Sequence, residues 1–130
     1  MKSLANNWLE FAHKDLQAAS QIVSNAELTA LTAFHCEQCI EKSFKAILAS
    51  YEKPPPRTHD LVTLHTQVEE LISFPVNEAT LREVSDTYTE SRYPLSEMSP
   101  AEQSPSSDKV QIFLSQAREI YDSARSTIGR

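Results

Sequence analysis

Glycine occurs only once in this chain, at Gly129, and that scarcity restricts the folds open to the chain. Glycine supplies the left-handed backbone that tight hairpin turns need, so a β-sandwich is not expected. The phosphate-binding loops of P-loop and dinucleotide-binding proteins each need several glycines, so these motifs are excluded and an α/β nucleotide fold is equally unexpected.

Length and composition indicate a single soluble domain that covers residues 1–130. Hydrophobic residues make up 40% of the chain and charged residues 23%, as in ordinary globular proteins. No apolar run approaches the ~20 residues that would span a membrane. Asn6, Asn7 and Glu10 interrupt any apolar stretch of the kind that a signal peptide contains, so we expect a cytoplasmic protein with reduced cysteines.

The charge balance is acidic, with a net charge of −6 from 18 acidic and 12 basic residues. A chain with this excess of acids is not expected to bind nucleic acid over a broad electrostatic surface. Net charge does not describe local clustering, however, and a small basic pocket remains compatible with it.

Apolar residues recur every three to four positions in five segments, and this spacing predicts five helices. The first four predicted helices cover residues 3–24, 27–51, 60–74 and 78–91. The second of them is apolar on more than one side, which is typical of the central helix of a bundle. We predict an all-α fold, namely an antiparallel up-and-down four-helix bundle with one additional short helix.

The start of the last helix has two candidate positions. Pro105 suits the first helical position with Ser104 as its N-cap, and we place the start there. The segment Ser99-Pro100-Ala101-Glu102 matches a capping box and would give an earlier start, but Pro105 would interrupt a helix that began there. Residues 93–104 are therefore predicted to form a long loop, of a length that is often functional.

A polar stripe follows one face of the second predicted helix. Its members are spaced by three, four and three residues and are His35, Gln38, Lys42 and Lys45. At about 100° per residue, this spacing places them within an arc of roughly 80°. Two cations and two hydrogen-bonding groups in a row suit a phosphate or a nucleic-acid backbone. The alternative is that the stripe is only the solvated face of the helix.

Two aspartates stand where they could position cations. Asp15 falls within about 20° of Trp8 on the helical wheel, in the middle of the apolar face of the first helix. A carboxylate there either pairs with a cation of another helix or reaches water at the edge of the face. Asp60 follows His59, a candidate base or phosphate ligand, and either orients that imidazole or caps the next helix.

Arg92 and Tyr93 close the fourth predicted helix and precede Pro94. Proline restricts the backbone of the residue before it, so both side chains are presented at a defined helix end. An arginine at this position either binds an anion or satisfies the last carbonyls of its own helix.

Metal or redox chemistry has little support. Cys36 and Cys39 have the spacing of a zinc or dithiol motif, but they lie in mid-helix without a second pair, so we expect two small residues at a helix–helix contact. Glu10 and His13 form one copy of a motif that di-iron bundles use twice, and they should point to solvent. We therefore predict neither a metal nor a cofactor.

Four motifs, taken in order along the chain, resemble the HEPN domain family. They are Trp8-Leu9-x-x-Ala12-x-x-Asp15-Leu16-x-x-Ala19, Ala33-Phe34-His35-x-x-Gln38-x-x-Glu41-Lys42-x-x-Lys45-Ala46, Thr58-His59-Asp60-Leu61 and Arg92-Tyr93-Pro94. The resemblance covers about residues 8–125. It implies a five-helix bundle that forms homodimers, associates with nucleotides or RNA, and works beside a minimal nucleotidyltransferase in toxin–antitoxin pairs.

Catalytic HEPN proteins resemble one another in an Arg-x(4–6)-His motif used for metal-independent RNA cleavage. Here Glu97, Met98 and Ser99 occupy the positions where that histidine would follow Arg92, and no histidine follows His65. We therefore expect a binding protein rather than a ribonuclease. A degenerate ribonuclease and a non-catalytic helical dimerisation module are the alternatives.

The resemblance and the residue chemistry together define one predicted site. Side chains predicted to contact a nucleotide or phosphate are Lys42, Lys45, His59, Arg92 and Tyr93, with the tyrosine stacking on a base. Side chains predicted to position them are Asp15, Gln38 and Asp60. For any residual catalysis the candidates are His59 and Arg92, with the histidine as acid and base.

Overall fold

The structure of the protein is a computed structural model that describes residues 2–91 and 97–129. Every regular element in these two ranges is helical. The helices are α1 Lys2–Ile22, α2 Thr29–Ser50, α3 Leu61–Glu69, α4 Glu78–Ser91, α5 Pro100–Gln103 and α6 Ser107–Ile128, with a 3-10 turn at Ala26–Leu28. The predicted all-α fold is confirmed, with α1, α2, α4 and α6 as its four main helices.

Helix α2 is the centre of the bundle and packs against α1, α3, α4 and α6. Residue numbers rise along α1 as they fall along α2, from the contact of Trp8 with Lys45 to the contact of Asp15 with His35. The two helices are therefore antiparallel, and the polar stripe predicted on α2 lies beside α1.

Small side chains let α1 approach the rest of the bundle closely. Ala5, Ala12 and Ala19 recur every seven residues along α1, and each is fully buried. Helices that meet through alanines come nearer than helices that meet through larger side chains. This packing brings the carboxylate of Asp15 within hydrogen-bonding distance of α2.

The last helix begins two residues later than predicted, at Ser107 rather than at Pro105, and the loop predicted before it contains a short helix. Ser99 forms a complete capping box with Glu102, and a one-turn helix, α5, follows it within the segment predicted as a loop. The chain then starts α6 at Ser107, where the hydroxyl of Ser106 accepts from the backbone N–H of Lys109. Ser99 and Ser106 each accept from a free backbone N–H at the start of a helix. Two capping motifs therefore start two successive helices, rather than competing for the start of one.

The third helix is shorter than predicted and ends at Glu69 rather than at residue 74. The chain turns back after it, so that Phe74 is buried and its ring packs edge-on against Phe44 of α2. The carbonyl of Phe74 also lies 2.7 Å from Nε2 of His65. Burial of this aromatic ring outweighs a further turn of helix.

The two cysteines have the packing role expected of them. Cys36 and Cys39 are fully buried, and Sγ of Cys39 lies 3.9 Å from the carbonyl of Ala117 on α6. Burial raises the pKa of the Cys36 thiol to about 12 and also raises that of Cys39. Both thiols are therefore protonated and unreactive at neutral pH. Glu10 and His13 are exposed on α1, as predicted.

Within residues 2–91 and 97–129, no group of three histidine, cysteine, aspartate or glutamate side chains is arranged to hold a metal ion. None of the helices in these ranges combines the length and the apolar character needed to cross a membrane.

Candidate functional site

Asp15 holds two side chains of α2. Its Oδ2 lies 2.7 Å from Nζ of Lys42 and its Oδ1 lies 2.8 Å from Nδ1 of His35. The aspartate is only 9% exposed, so its charge is stabilised by these partners rather than by bulk water. Of the two alternatives for Asp15, pairing with a cation of another helix is the one found. We call these three residues the Asp15 cluster.

A second carboxylate repeats this arrangement. Oε2 of Glu41 lies 2.7 Å from Nζ of Lys45, and Oε1 lies 2.9 Å from Nδ1 of His59. Glu41 and Lys45 are both buried, whereas the side chain of His59 is 61% exposed. These three residues form the Glu41 cluster. Each cluster thus consists of one buried carboxylate, one lysine and one histidine.

The polar stripe is therefore not merely a solvated helix face. Lys45 is only 8% exposed. Both lysines of the stripe, Lys42 and Lys45, form ion pairs. Burying a charged side chain is costly unless a partner compensates for lost hydration, so neither cluster is an incidental surface feature.

The carboxylates fix the orientation of the two imidazoles. An ionised carboxylate only accepts hydrogen bonds, so the ring nitrogen facing it, Nδ1, must carry a proton. In a neutral histidine, Nε2 is then the free basic nitrogen. His59 exposes most of its ring. It can therefore present Nε2 to a ligand while Glu41 holds the other side of the ring.

Aromatic rings lie beside both clusters. Nζ of Lys45 lies 5.6 Å from the centre of the Trp8 ring, and Nζ of Lys42 lies 5.8 Å from that of Phe11, both on α1. Such distances allow cation–π attraction. Phe11 is 57% exposed, so it leaves a flat apolar surface next to a cation. The centre of the Tyr88 ring on α4 lies 6.0 Å from that of His59.

Glu37 is a member of the site that sequence reasoning missed. It is fully buried on α2, and its Oε1 accepts a hydrogen bond of 2.8 Å from Nε2 of Gln38. Its Oε2 has no hydrogen-bond partner among the described residues. Burial, reinforced by the nearby charge of Glu41, raises the pKa of Glu37 to about 8. Glu37, Glu41 and Lys45 follow one another at intervals of one helical turn, and this spacing could have placed Glu37 beside the other two.

The charge of the site follows from these assignments. With Glu37 neutral at pH 7, the carboxylates of Asp15 and Glu41 balance the ammonium groups of Lys42 and Lys45. Protonation of either histidine then makes the site positive. Burial acts to raise the pKa of Glu41. The hydrogen bonds from Lys45 and His59 nevertheless hold that pKa below its ordinary value.

Asp60 has a different role from Asp15. Its Oδ1 accepts from the backbone N–H of Val62 at 3.1 Å and its Oδ2 from the hydroxyl of Thr63 at 2.9 Å. Asp60 therefore caps α3, which was one of its two predicted roles. Glu41, rather than Asp60, is the carboxylate that contacts His59.

The family model of the HEPN domain matches residues 5–127 of the chain. The chain belongs to the HEPN family. Two solved structures share the HEPN fold seen here, each over nearly its whole length. The archaeal HEPN homologue ST0689 is 23% identical over 95% of this chain and 97% of its own, with a TM-score of 0.73. TT1696 from Thermus thermophilus is 17% identical over 94% of this chain and 96% of its own, with a TM-score of 0.77. No curated protein sequence matches the chain significantly.

The HEPN bundle brings together most of the predicted site. Lys42 and Lys45 project from α2 beside α1, and His59 reaches the same helix through Glu41. Gln38 belongs to this group through its hydrogen bond to Glu37. Arg92 and Tyr93 lie outside the described residues.

Proposed function

We propose that this HEPN protein binds nucleotides or RNA through the Asp15 and Glu41 clusters. The observation that carries the proposal is the pair of buried carboxylates, each holding a lysine and a histidine along one side of α2. An ammonium group has three donors, and one carboxylate leaves donors free for a phosphate. Charge-assisted contacts of this kind are the usual means of binding a phosphate backbone.

The two clusters contribute differently to this proposed site. The side chains of Lys42, His35 and His59 are 22%, 23% and 61% exposed, so they are the groups of the two clusters that can touch a ligand. Lys45 is buried against Glu41 and Trp8, and the carboxylate of Glu41 balances its charge. The exposed ring of Phe11 next to Lys42 supports base stacking, because aromatic rings bind bases without sequence preference.

Loss of two phosphate contacts should weaken RNA binding. In a Lys42→Ala, Arg92→Ala double variant, we expect the Kd for a short fluorescent oligouridylate to rise at least tenfold. The slope of log Kd against log salt concentration should fall by about 1.4, at about 0.7 per single-strand contact. Fluorescence anisotropy over a salt series measures both. A Lys14→Ala, Arg125→Ala variant removes equal charge elsewhere and should bind as wild type. Equal binding by both variants would overturn the proposal.

Metal-independent RNA cleavage is a second candidate function, and the Glu41–His59 contact favours it. A histidine that is oriented by a carboxylate can accept the proton of a 2′-hydroxyl as general base. The absence of a histidine at residues 97–99 favours binding without cleavage. We therefore expect purified protein in EDTA to leave RNA intact on denaturing gels. Cleavage that is lost in both His59→Ala and Arg92→Ala would establish the second function instead.

Family membership also supports two proposals about partners. The protein forms a homodimer, and it works beside a minimal nucleotidyltransferase in a toxin–antitoxin module. The exposed apolar side chain of Leu4 on α1 is available for such contacts. Both proposals concern assemblies of more than one chain and rest on the family rather than on contacts within this bundle.

A further inference from the structure

A concave pocket lies next to the Glu41 cluster, between the start of α3 and α4. Its volume is about 240 Å³. The residues that line it are His59, Asp60, Val62, Arg82, Ser85 and Asp86. His59 is thus shared between the Glu41 cluster and this pocket, and a ligand held in one is adjacent to the other.

Local hydrogen bonds fix the walls of the pocket. The backbone N–H of Leu61 donates to Oγ of Ser85 at 3.2 Å, which joins the start of α3 to α4. Both carboxylate oxygens of Asp60 are engaged in capping α3. Arg82 and Asp86 are one turn apart on α4 and therefore lie on the same side of it. Both are exposed.

The free groups of the pocket are of two opposite kinds. Arg82 and Asp86 take part in none of the ion pairs found among the described residues. A guanidinium group offers paired donors that match the oxygens of a phosphate. A carboxylate only accepts, so its natural partner on a ligand is a hydroxyl group. A ligand that satisfies both carries a phosphate and a hydroxyl a few ångströms apart.

We propose that this pocket is a subsite for one ribose phosphate of an RNA strand, with Arg82 and the protonated form of His59 donating to the phosphate and Asp86 accepting from the 2′-hydroxyl. The inference rests on the function proposed above and adds residues to it. It also gives the site a means of distinguishing ribose from deoxyribose, because only ribose has the hydroxyl that Asp86 accepts.

The ratio of two dissociation constants tests this subsite. Wild-type protein is expected to bind oligouridylate about tenfold more tightly than oligodeoxyuridylate of the same length. Loss of one hydrogen bond to a charged group raises a dissociation constant by about this factor. In Asp86→Ala the ratio should fall close to one. Removing a negative charge strengthens binding of both strands through general electrostatics, so the ratio isolates the hydroxyl contact. Asp122→Ala on α6 is the matched control and should keep the wild-type ratio.

Arg82 is tested through the phosphate rather than the sugar. Arg82→Ala should weaken the binding of both strands by a similar factor, leave their ratio intact and lower the salt slope by about 0.7. Arg125→Ala on α6 is its control. Circular dichroism melts of all four variants ensure that only folded proteins are compared.

The outcomes separate the two proposals. Failure of the wild-type protein to bind either strand overturns the proposed function and the subsite with it. RNA binding that depends on Lys42 and Arg92, together with a strand ratio that Asp86→Ala does not change, overturns the subsite alone. Equal affinity of the wild-type protein for the RNA and DNA strands also overturns the subsite alone.

Discussion

Glu37→Gln is expected to raise the free energy of unfolding at pH 8 by on the order of 3 kcal/mol and to flatten its pH dependence. Burial, with the nearby charge of Glu41, raises the pKa of Glu37 to about 8, against an ordinary value of 4.5. Between these values the unfolded chain has lost a proton that the folded protein keeps. Stability therefore falls as pH rises through this window and levels off above it. Glutamine resembles the protonated acid and has no proton to lose.

Urea denaturation at a series of pH values between 5 and 8 measures this effect. The exposed Glu10→Gln on α1 is the matched control, and its profile should run parallel to that of the wild-type protein. Glu41 acts in a different window: its pKa is lowered, so its contribution is present above 4.5 and is lost as pH falls below that value. A Glu37→Gln profile parallel to wild type would contradict the assignment of Glu37 as a neutral buried acid.

Lys45→Met is expected to destabilise the protein by about 3–5 kcal/mol, the usual cost of removing one partner of a buried ion pair. Lys45 and Glu41 are 8% and 4% exposed, and their charged atoms are 2.7 Å apart. Methionine preserves the length and the apolar contact with Trp8, so loss of the charge dominates the effect. The imidazole of His59 also contacts Glu41.

A double variant distinguishes loss of the ion pair from poor packing of methionine. Adding Glu41→Gln to Lys45→Met removes the uncompensated carboxylate and should restore most of the lost stability, because the coupling of neighbours appears as non-additivity. Lys14→Met, at an exposed position on α1, is the control for the substitution itself and should change little. Equal destabilisation in the single and double variants would show that packing, not charge, was lost.

Local patterns predicted most of the helices and the polar stripe, because apolar periodicity and capping are properties of adjacent residues. The pairing of Asp15 was predictable for the same reason, since a carboxylate in the middle of an apolar face needs a partner. The one-turn helix α5 was missed because Pro105 would interrupt a long helix that began at Ser99. The capping box of Ser99 and Glu102 requires only one helical turn, which ends before Pro105.

The burial of Glu37 and the partner of His59 depend on contacts between distant parts of the chain. A glutamate on a helix is usually exposed, and only the helices packed around α2 cover this one. His59 and Glu41 are 18 residues apart, whereas the local alternative for orienting His59 was its neighbour, Asp60. Capping of α3 by Asp60 left Glu41 as the carboxylate beside the imidazole.

The position of α2 at the centre of the bundle has a consequence for genetics. Every other main helix packs against it, and it also carries Lys42 and the carboxylate that holds His59. In a screen for loss of function, substitutions in α2 would be recovered for two unrelated reasons, failure to accumulate in the cell and failure to recognise a ligand. Substitutions at His59, which projects from a loop into the same site, would separate the two, because a stable but inactive protein is the expected phenotype there.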